Sequence, residues 1–203
     1  MANNLWMLWR QLLKHPRELG TVAPSSRWLA QGLVQASDIT EDHTIVEVGA
    51  GTGPLTHWIR ASVPKANFFA MEPNPDMAAL LRARFMGLDV CEERVEALPQ
   101  MLQERGLNKA DRILSSVPWS LFPIKELESS VDAICDSLAD DGFFVTLVYA
   151  HARQFPSSMQ MKKLVEGKFN SVYYSDVIWR NIPPGNWLVC RNPIRNSQSL
   201  NGQ

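Results

Sequence analysis

A buried strand that runs directly into a glycine-rich turn constrains this chain more than any other segment. Residues 44–48 are apolar or β-branched apart from Glu47, which is typical of a strand buried in a parallel sheet. The turn Gly49-Ala50-Gly51-Thr52-Gly53 follows, and Pro54 favours a helix start directly after it. Glycines let the backbone approach a ligand closely, and the first N–H groups of a helix lack partners within it. The segment therefore predicts a strand-turn-helix unit that binds a polar ligand at its turn.

An acidic residue at the end of the next apolar run narrows the class of ligand. Glu72 ends the run Phe68-Phe69-Ala70-Met71-Glu72-Pro73, where a carboxylate can bind the two hydroxyls of a ribose. A dinucleotide site would have the spacing G-x-G-x-x-G, whereas glycines 49, 51 and 53 give G-x-G-x-G. The pattern indicates a nucleoside-bearing cofactor and counts against a dinucleotide. A tight turn that binds no ligand is the alternative.

The composition limits the kind of protein. The chain has 203 residues, 45% of them hydrophobic, which suits one soluble domain with an ordinary core. A net charge of −1 argues against a general attraction to nucleic acid. The three cysteines are far apart and form no CxxC pair, so neither a disulfide framework nor a zinc site is expected. No apolar stretch approaches the roughly 18 residues of a membrane span, and no signal-peptide pattern is present, so a cytoplasmic location is expected.

Strand-like and helix-like patterns alternate along most of the chain, which indicates an α/β fold with a mostly parallel sheet. Helices are predicted at residues 26–35, 54–61, 75–85, 97–104 and 124–138, and strands at 44–48, 67–71, 88–91, 112–115 and 142–149.

The C-terminal part has a different pattern. Two strands are predicted at residues 169–179 and 187–191, separated by the short segment Asn181-Ile182-Pro183-Pro184-Gly185. A loop this short joins antiparallel neighbours, because a parallel return needs a longer crossover. The polar residues 192–203 are predicted to form a flexible tail.

The first 16 residues predict a separate amphipathic helix. At about 100° per residue, one arc carries Leu5, Trp6, Leu8, Trp9, Leu12 and Leu13, and basic and polar residues lie opposite. Tryptophan beside leucine, faced by cations, suits a helix lying in a membrane interface. A helix that covers the sheet or another subunit has the same periodicity, so the pattern alone leaves both open.

The glycine turn and the acids around it resemble the class I S-adenosylmethionine-dependent methyltransferases. The resemblance implies a Rossmann-like sheet of seven strands, the last of them antiparallel, with S-adenosylmethionine as cofactor. In that family the glycine loop meets the methionine and ribose, the acid after the second strand binds the ribose, and an acid followed by a small residue lies near the adenine. The cofactor-binding residues implied here are Glu47, Gly49, Ala50, Gly51, Gly53, Glu72, Pro73, Glu96, Ala97 and Ser115. Glu96 could equally be a solvated acid at a helix N-terminus.

The segment Ser115-Ser116-Val117-Pro118-Trp119 resembles the Asn-Pro-Pro-Tyr-like loop of enzymes that methylate amino nitrogens. Ser116 stands where those enzymes have asparagine, which counts against recognition of the planar amine of a base. The resemblance makes Ser116, Pro118 and Trp119 candidate catalytic residues. Tyr149, at the end of the fifth predicted strand, is a further candidate, because aromatic faces attract sulfonium and ammonium groups. Trp119 and Tyr149 could equally be packing residues.

Three segments resemble bacterial phospholipid N-methyltransferases: 20–26, 111–118 and 177–184. The resemblance implies methylation of phosphatidylethanolamine toward phosphatidylcholine by a domain at residues 17–191. Residues 1–16 would then dock on the inner face of the plasma membrane. These enzymes resemble the ribosomal adenine dimethylases in their core, so methylation of adenine in RNA is one alternative. A non-catalytic protein that binds a lipid or partner is the other.

Overall fold

A computed structural model describes residues 27–195, apart from the side chain of Ser120. The amphipathic helix predicted at residues 1–16 lies outside these residues. Within them the chain forms a seven-stranded sheet between two layers of helices. The predicted α/β class and mostly parallel sheet are confirmed.

The strands follow the order β3-β2-β1-β4-β5-β7-β6 across the sheet. All neighbouring strands are parallel except β7, which is antiparallel to both β5 and β6. Their bounds are β1 Thr44–Val48, β2 Asn67–Met71, β3 Asp89–Cys91, β4 Ala110–Ser115, β5 Leu138–Tyr149, β6 Phe169–Tyr174 and β7 Gly185–Pro193. The antiparallel C-terminal pair predicted from its short loop is therefore confirmed.

Between residues 27 and 195, six α-helices cover the two faces of the sheet. They are α1 Arg27–Ser37, α2 Pro54–Ser62, α3 Pro75–Arg84, α4 Leu98–Glu104, α5 Ile124–Ser137 and α6 Pro156–Glu166. The first three pack on one face and the last three on the other. Side chains alternate along each strand, so that Ile45 packs beneath α1 and α2 while its neighbour Val46 faces the opposite layer.

The order of the strands reverses between β1 and β4, which are adjacent although β2 and β3 lie between them in sequence. In open α/β sheets, ligands bind beyond the carboxyl ends of the strands at such a reversal. The glycine turn follows β1 and the Ser116–Trp119 loop follows β4. The topology therefore brings the two predicted parts of the site to one place.

The C-terminal predictions need three corrections. Strand β6 ends at Tyr174, so residues 175–184 are a connection; within it Ile178 packs against α1 and Trp179 is exposed. Helix α6 is missing from the predicted elements. Only Ser158, Met161 and Val165 of its eleven residues are buried, so its sequence has no strong apolar pattern. The tail boundary at 192 is wrong: β7 runs to Pro193, and Arg195 bonds Asp140 and two backbone carbonyls.

The three cysteines are free thiols. Burial raises the pKa of Cys135 to about 12 and also raises the pKa values of Cys91 and Cys190. All three thiols therefore stay protonated, which makes them poor nucleophiles. Among residues 27–195, no helix combines the length and apolar character needed to cross a membrane.

Candidate functional site

The glycine turn after β1 depends on backbone conformations that favour glycine. Gly49, Gly51 and Gly53 have φ angles of +72°, +58° and +80°, in the left-handed region that other residues adopt only with strain. A Cβ at Gly49 would lie 2.3 Å from a methyl carbon of Val117, whereas a Cβ at Gly51 would meet nothing within 4 Å. The turn therefore touches the loop after β4 at Gly49 and borders open space at Gly51.

Glu72 holds the glycine turn in place. Its Oε2 accepts a hydrogen bond of 2.8 Å from the N–H of Gly51, and its Oε1 accepts one of 2.9 Å from the N–H of Asn74. The side chain is buried, and burial raises its pKa while these two hydrogen bonds oppose the rise. Each carboxylate oxygen has a second lone pair, so the group can take a further donor without releasing the turn.

Glu47 lies on β1, and its two carboxylate oxygens differ in their hydrogen bonding. Its Oε2 accepts a hydrogen bond of 2.5 Å from the hydroxyl of Thr56 on α2. Its Oε1 is buried and has no hydrogen-bond partner within the described part of the chain. Burial raises the pKa of Glu47 to about 8, against the opposing effect of the Thr56 hydrogen bond. A buried acceptor without a partner calls for an explanation, and a cationic ligand would supply one.

Glu96 lies in a short 3₁₀ helix after β3 and is neither free nor fully solvated. Its Oε1 accepts a hydrogen bond of 2.7 Å from Ser130 on α5, and its Oε2 pairs with Arg94 at 3.2 Å. Arg94 also pairs with Glu126 on α5 at 3.0 Å. Glu96 therefore ties its turn to α5, and Ala97 lies half-buried beside it.

The loop after β4 is fixed by two buried hydrogen bonds. The hydroxyl of Ser115 accepts a hydrogen bond of 3.1 Å from the N–H of Val117. The indole N–H of Trp119 donates a hydrogen bond of 3.1 Å to the hydroxyl of Thr146 on β5. Trp119 is 4% exposed, and its ring packs against Phe122 and Phe144. The buried indole thus anchors the loop to the neighbouring strand.

A pocket opens beside this loop, at the carboxyl ends of β4 and β5. It brings together the four residues predicted to be catalytic, Ser116, Pro118, Trp119 and Tyr149. Among residues 27–195, no charged side chain lines it. The remaining lining residues were not predicted: Thr146, Leu147, Val148, Ala152, Ser158, Met161, Tyr174 and Leu188. Thr146 and Val148 could have been found, because they alternate along a predicted strand towards the same face as Phe144.

Ring contacts at the mouth of the pocket connect the segment after β5 to β6. The ring of Tyr149 stacks on that of His151, with centroids 5.9 Å apart and an interplanar angle of 18°. The guanidinium of Arg153 lies 4.0 Å from the centroid of Tyr174. Burial raises the pKa of the Tyr149 phenol, which therefore stays protonated. A cation and a phenol thus stand at the edge of an otherwise uncharged pocket.

Comparison with known proteins identifies the chain. A family model described as "Methyltransferase domain" matches residues 45–142. An ornithine lipid N-methyltransferase from Singulisphaera acidiphila is 33% identical over 189 residues, which cover 89% of this chain and 92% of that protein. The chain belongs to the S-adenosylmethionine-dependent methyltransferases.

More distant comparisons agree with this methyltransferase family. A dimethyladenosine transferase from Saccharomyces cerevisiae is 31% identical over 110 residues, covering 54% of this methyltransferase and 34% of the yeast protein. The crystal structure of human N-acetylserotonin methyltransferase with bound S-adenosylmethionine matches with a TM-score of 0.63 at 13% identity. That match covers 91% of this chain and 55% of the human one and shows the shared fold. The predicted family, fold and methyl donor are thereby confirmed.

The turn of this methyltransferase fits S-adenosylmethionine. Oε1 of Glu47 is a buried acceptor suited to the ammonium group of the methionine part. The space beside Gly51 leaves room for the nucleoside, and Glu72 keeps acceptor capacity for ribose hydroxyls. The assignments of individual residues, including Pro73, Ala97 and Ser115, stay predictions.

Proposed function

We propose that this methyltransferase transfers methyl groups from S-adenosylmethionine to the amino group of the phosphatidylethanolamine headgroup, toward phosphatidylcholine. The observation that carries the proposal is the uncharged, partly aromatic pocket at the carboxyl ends of β4 and β5, beside the glycine turn. The ornithine lipid N-methyltransferase supports a lipid amine as the acceptor class. Phosphatidylethanolamine and ornithine lipids both carry a primary amine near an anionic group.

The pocket has the character that an amine nucleophile requires. Bound S-adenosylmethionine supplies an electrophilic methyl group on a sulfonium, so the attacking nitrogen must have lost its proton. An ammonium group that enters a site without carboxylates loses hydration, and its pKa falls. Serine and tyrosine hydroxyls, including those of Ser116 and Tyr149, can accept or donate hydrogen bonds that orient the neutral amine. Desolvation and orientation therefore provide the activation that a general base provides elsewhere.

The aromatic residues of the pocket can stabilise positive charge. The methylated product carries a positive charge, which the faces of Trp119, Tyr149 and Tyr174 attract. Trp119 also positions its own loop through Thr146, so its contribution has a packing component.

Arg153 is the cation that we assign to the anionic group of the lipid. Four arginines are candidates for this role, Arg17, Arg27, Arg153 and Arg180, and Arg17 lies outside the described residues. Arg27 and Arg180 both stack on Trp28, whereas Arg153 stacks on Tyr174, which lines the pocket. A guanidinium there can pair with a phosphate or a carboxylate through two N–H groups.

The proposed setting is the inner, cytoplasmic face of the plasma membrane. Residues 1–16 would lie in the interface, with their tryptophans and leucines towards the lipid and their basic residues in water.

The decisive experiment incubates the full chain with methyl-labelled S-adenosylmethionine and an acceptor, then separates the extracted products by chromatography. Three acceptors are compared: vesicles with phosphatidylethanolamine, vesicles with ornithine lipid, and adenine-containing RNA. We expect label in phosphatidylethanolamine and its methylated products. Label only in ornithine lipid would instead establish that lipid as the acceptor, which is the second candidate and the one that the relative from Singulisphaera favours.

The same experiment tests the two remaining alternatives. Label in RNA alone would restore methylation of adenine, which the partial matches to dimethyladenosine transferases represent. Heat of S-adenosylmethionine binding without label in any acceptor would point to a protein that binds but does not turn over.

The proposal of catalysis without a general base predicts the behaviour of His151. This residue is exposed and stacks on Tyr149, which lines the pocket. We expect His151→Ala to keep the shape of the wild-type pH–rate profile between about pH 6 and pH 9. A step in the wild-type profile that disappears in His151→Ala would show that the histidine accepts the proton.

A further inference from the structure

Most of the large apolar side chains that are exposed among residues 27–195 lie in the segments that follow β4, β5 and β6. Ten large hydrophobic side chains are exposed among residues 27–195. Six of them form what we call the apolar rim: Leu121, Ile124, Phe155, Met159, Trp179 and Ile182. The rim residues lie in three segments, 116–125, 150–159 and 175–184, which follow β4, β5 and β6. Because β7 is antiparallel to both β5 and β6, all three segments leave the same edge of the sheet.

The segment 175–184 presents the most exposed part of the rim on an ordered backbone. Trp179 is 74% exposed and Ile182 is 81% exposed. The backbone N–H of Ile178 donates to the carbonyl of Gly185 at 2.8 Å, and the side-chain amide of Asn181 donates to the carbonyl of Pro183 at 2.7 Å. The segment therefore presents two large apolar side chains to solvent on a hydrogen-bonded backbone.

The charges of the rim segments differ in sign from the charge of the whole chain. The three segments contain the cations Lys125, Arg153 and Arg180 and one carboxylate, Asp176, whereas the net charge of the protein is −1. Exposed apolar side chains on segments that carry more cations than carboxylates match a bilayer with anionic phosphates.

The first described helix, α1, begins beside this surface. The guanidinium groups of Arg27 and Arg180 lie 4.4 Å and 4.5 Å from the ring centroid of Trp28. These stacking contacts place the start of α1 against the segment 175–184. Arg27, the first described residue, therefore lies beside one of the rim segments.

We infer that the apolar rim is a membrane-binding surface, which inserts Trp179 and Ile182 into an anionic bilayer and faces the pocket mouth towards the lipid. This surface is separate from residues 1–16 and lies on the methyltransferase domain itself. The inference does not require any particular acceptor, since it concerns the orientation of the domain on the bilayer.

The test is co-sedimentation of the full chain with vesicles of phosphatidylcholine and phosphatidylglycerol, without S-adenosylmethionine and without an amine lipid. Trp179→Ser combined with Ile182→Ser should weaken partitioning by about tenfold or more, since both side chains lose apolar contact with lipid. The matched control is Leu80→Ser combined with Met86→Ser, two exposed apolar residues on and just after α3, away from the rim segments. This control should partition within about twofold of the wild type.

A second arm tests the charges. Lys125→Gln combined with Arg180→Gln should lower binding to phosphatidylglycerol vesicles and leave binding to pure phosphatidylcholine vesicles unchanged. Thermal melting and S-adenosylmethionine affinity, measured for every variant, show that the fold is intact.

Equal partitioning of the rim variant and the wild type, or equal weakening of the rim variant and its control, would overturn the inference. A self-associating wild type that becomes monomeric in the rim variant would instead assign the surface to a second copy of this chain. Methyl transfer plays no part in these measurements. Failure of the acceptor experiment would therefore leave them standing, and their failure would leave the acceptor open.

Discussion

Glu47 is buried, and within residues 27–195 one of its oxygens has no hydrogen-bond partner. Its protonation therefore affects the stability of the fold. Its pKa is raised from 4.5 to about 8 by burial. Between these values the unfolded chain has lost a proton that the folded chain keeps, so the free energy of unfolding falls as the pH rises. We expect Glu47→Gln, which cannot ionise, to melt progressively higher relative to the wild type from about pH 5 to pH 8. A difference of about 1 kcal/mol shifts Tm by about 2–4 °C in a domain of this size.

The control for Glu47 is Glu128→Gln, which changes an exposed glutamate on α5. Its melting temperature should follow that of the wild type at every pH. If Glu47→Gln and Glu128→Gln show the same pH dependence, the buried carboxyl does not hold the proton assigned to it.

Gly51 offers a sharper test of the cofactor turn than Gly49, because a side chain at Gly49 would collide with Val117. Gly87 is a matched control: its φ of +75° resembles the +58° of Gly51, and a Cβ at either position meets nothing within 4 Å. Both alanine variants should lose about 1–2 kcal/mol of stability through backbone strain. Only Gly51→Ala should weaken S-adenosylmethionine binding, by about tenfold or more, because its methyl group enters the space beside the turn.

Isothermal titration of both glycine variants gives the comparison. Equal affinity in Gly51→Ala and Gly87→Ala would remove Gly51 from the binding surface.

At the scale of single residues, the sequence alone identified positions where the residue type itself indicates a role. The glycine spacing and the acids at 47 and 72 predicted the turn and its ligand class. The hydrogen-bond partners of the acids were not predictable. Thr56 donates to Glu47 and Ser130 donates to Glu96, and in each pair the two residues lie on different elements. No local pattern encodes such pairs.

Among the elements, the link between the loop after β4 and strand β5 is the most consequential. The hydroxyl of Thr146 is the acceptor for the buried indole N–H of Trp119. Thr146→Val keeps the shape of the side chain and removes the acceptor, which leaves a buried donor unpaired at a cost of about 1–3 kcal/mol. We expect a lower melting temperature, slower methyl transfer to lipid, and unchanged affinity for S-adenosylmethionine.

Thr40→Val is the control, because Thr40 is exposed before β1 and its side chain is remote from the loop. If slow transfer were accompanied by equally weakened S-adenosylmethionine binding in Thr146→Val, the hydrogen bond would support the whole site and not the acceptor loop alone.

Elements with strong local patterns were predictable, and those defined by packing were not. Strands β1 and β2 have the bounds that their apolar runs predict. Helix α6 buries few residues, and its sequence is mostly polar. Residues 177–179 are apolar like a strand, but Ile178 packs against α1 and Trp179 faces solvent. Periodicity shows that residues are apolar, but it does not show what covers them.

On the scale of the whole molecule, the proposed membrane contacts should act together. Residues 1–16 and the apolar rim would meet the same bilayer, so their free energies of binding should add. The factors by which the two sets of substitutions weaken binding should therefore multiply. We expect Trp6→Ser with Trp9→Ser, added to the rim variant in the full chain, to weaken co-sedimentation with anionic vesicles by about a further tenfold. A combined variant that binds as well as the rim variant alone would show that residues 1–16 do not contact lipid.

The reversal of strand order between β1 and β4 also divides the molecule into two halves that contribute different residues to the site. The glycine turn, Glu72 and Glu96 belong to the side of β1, β2 and β3, whereas the pocket and the rim are built from β4 to β7 and the segments after them. The residues that line the pocket can therefore vary without any substitution in the glycine turn, Glu72 or Glu96.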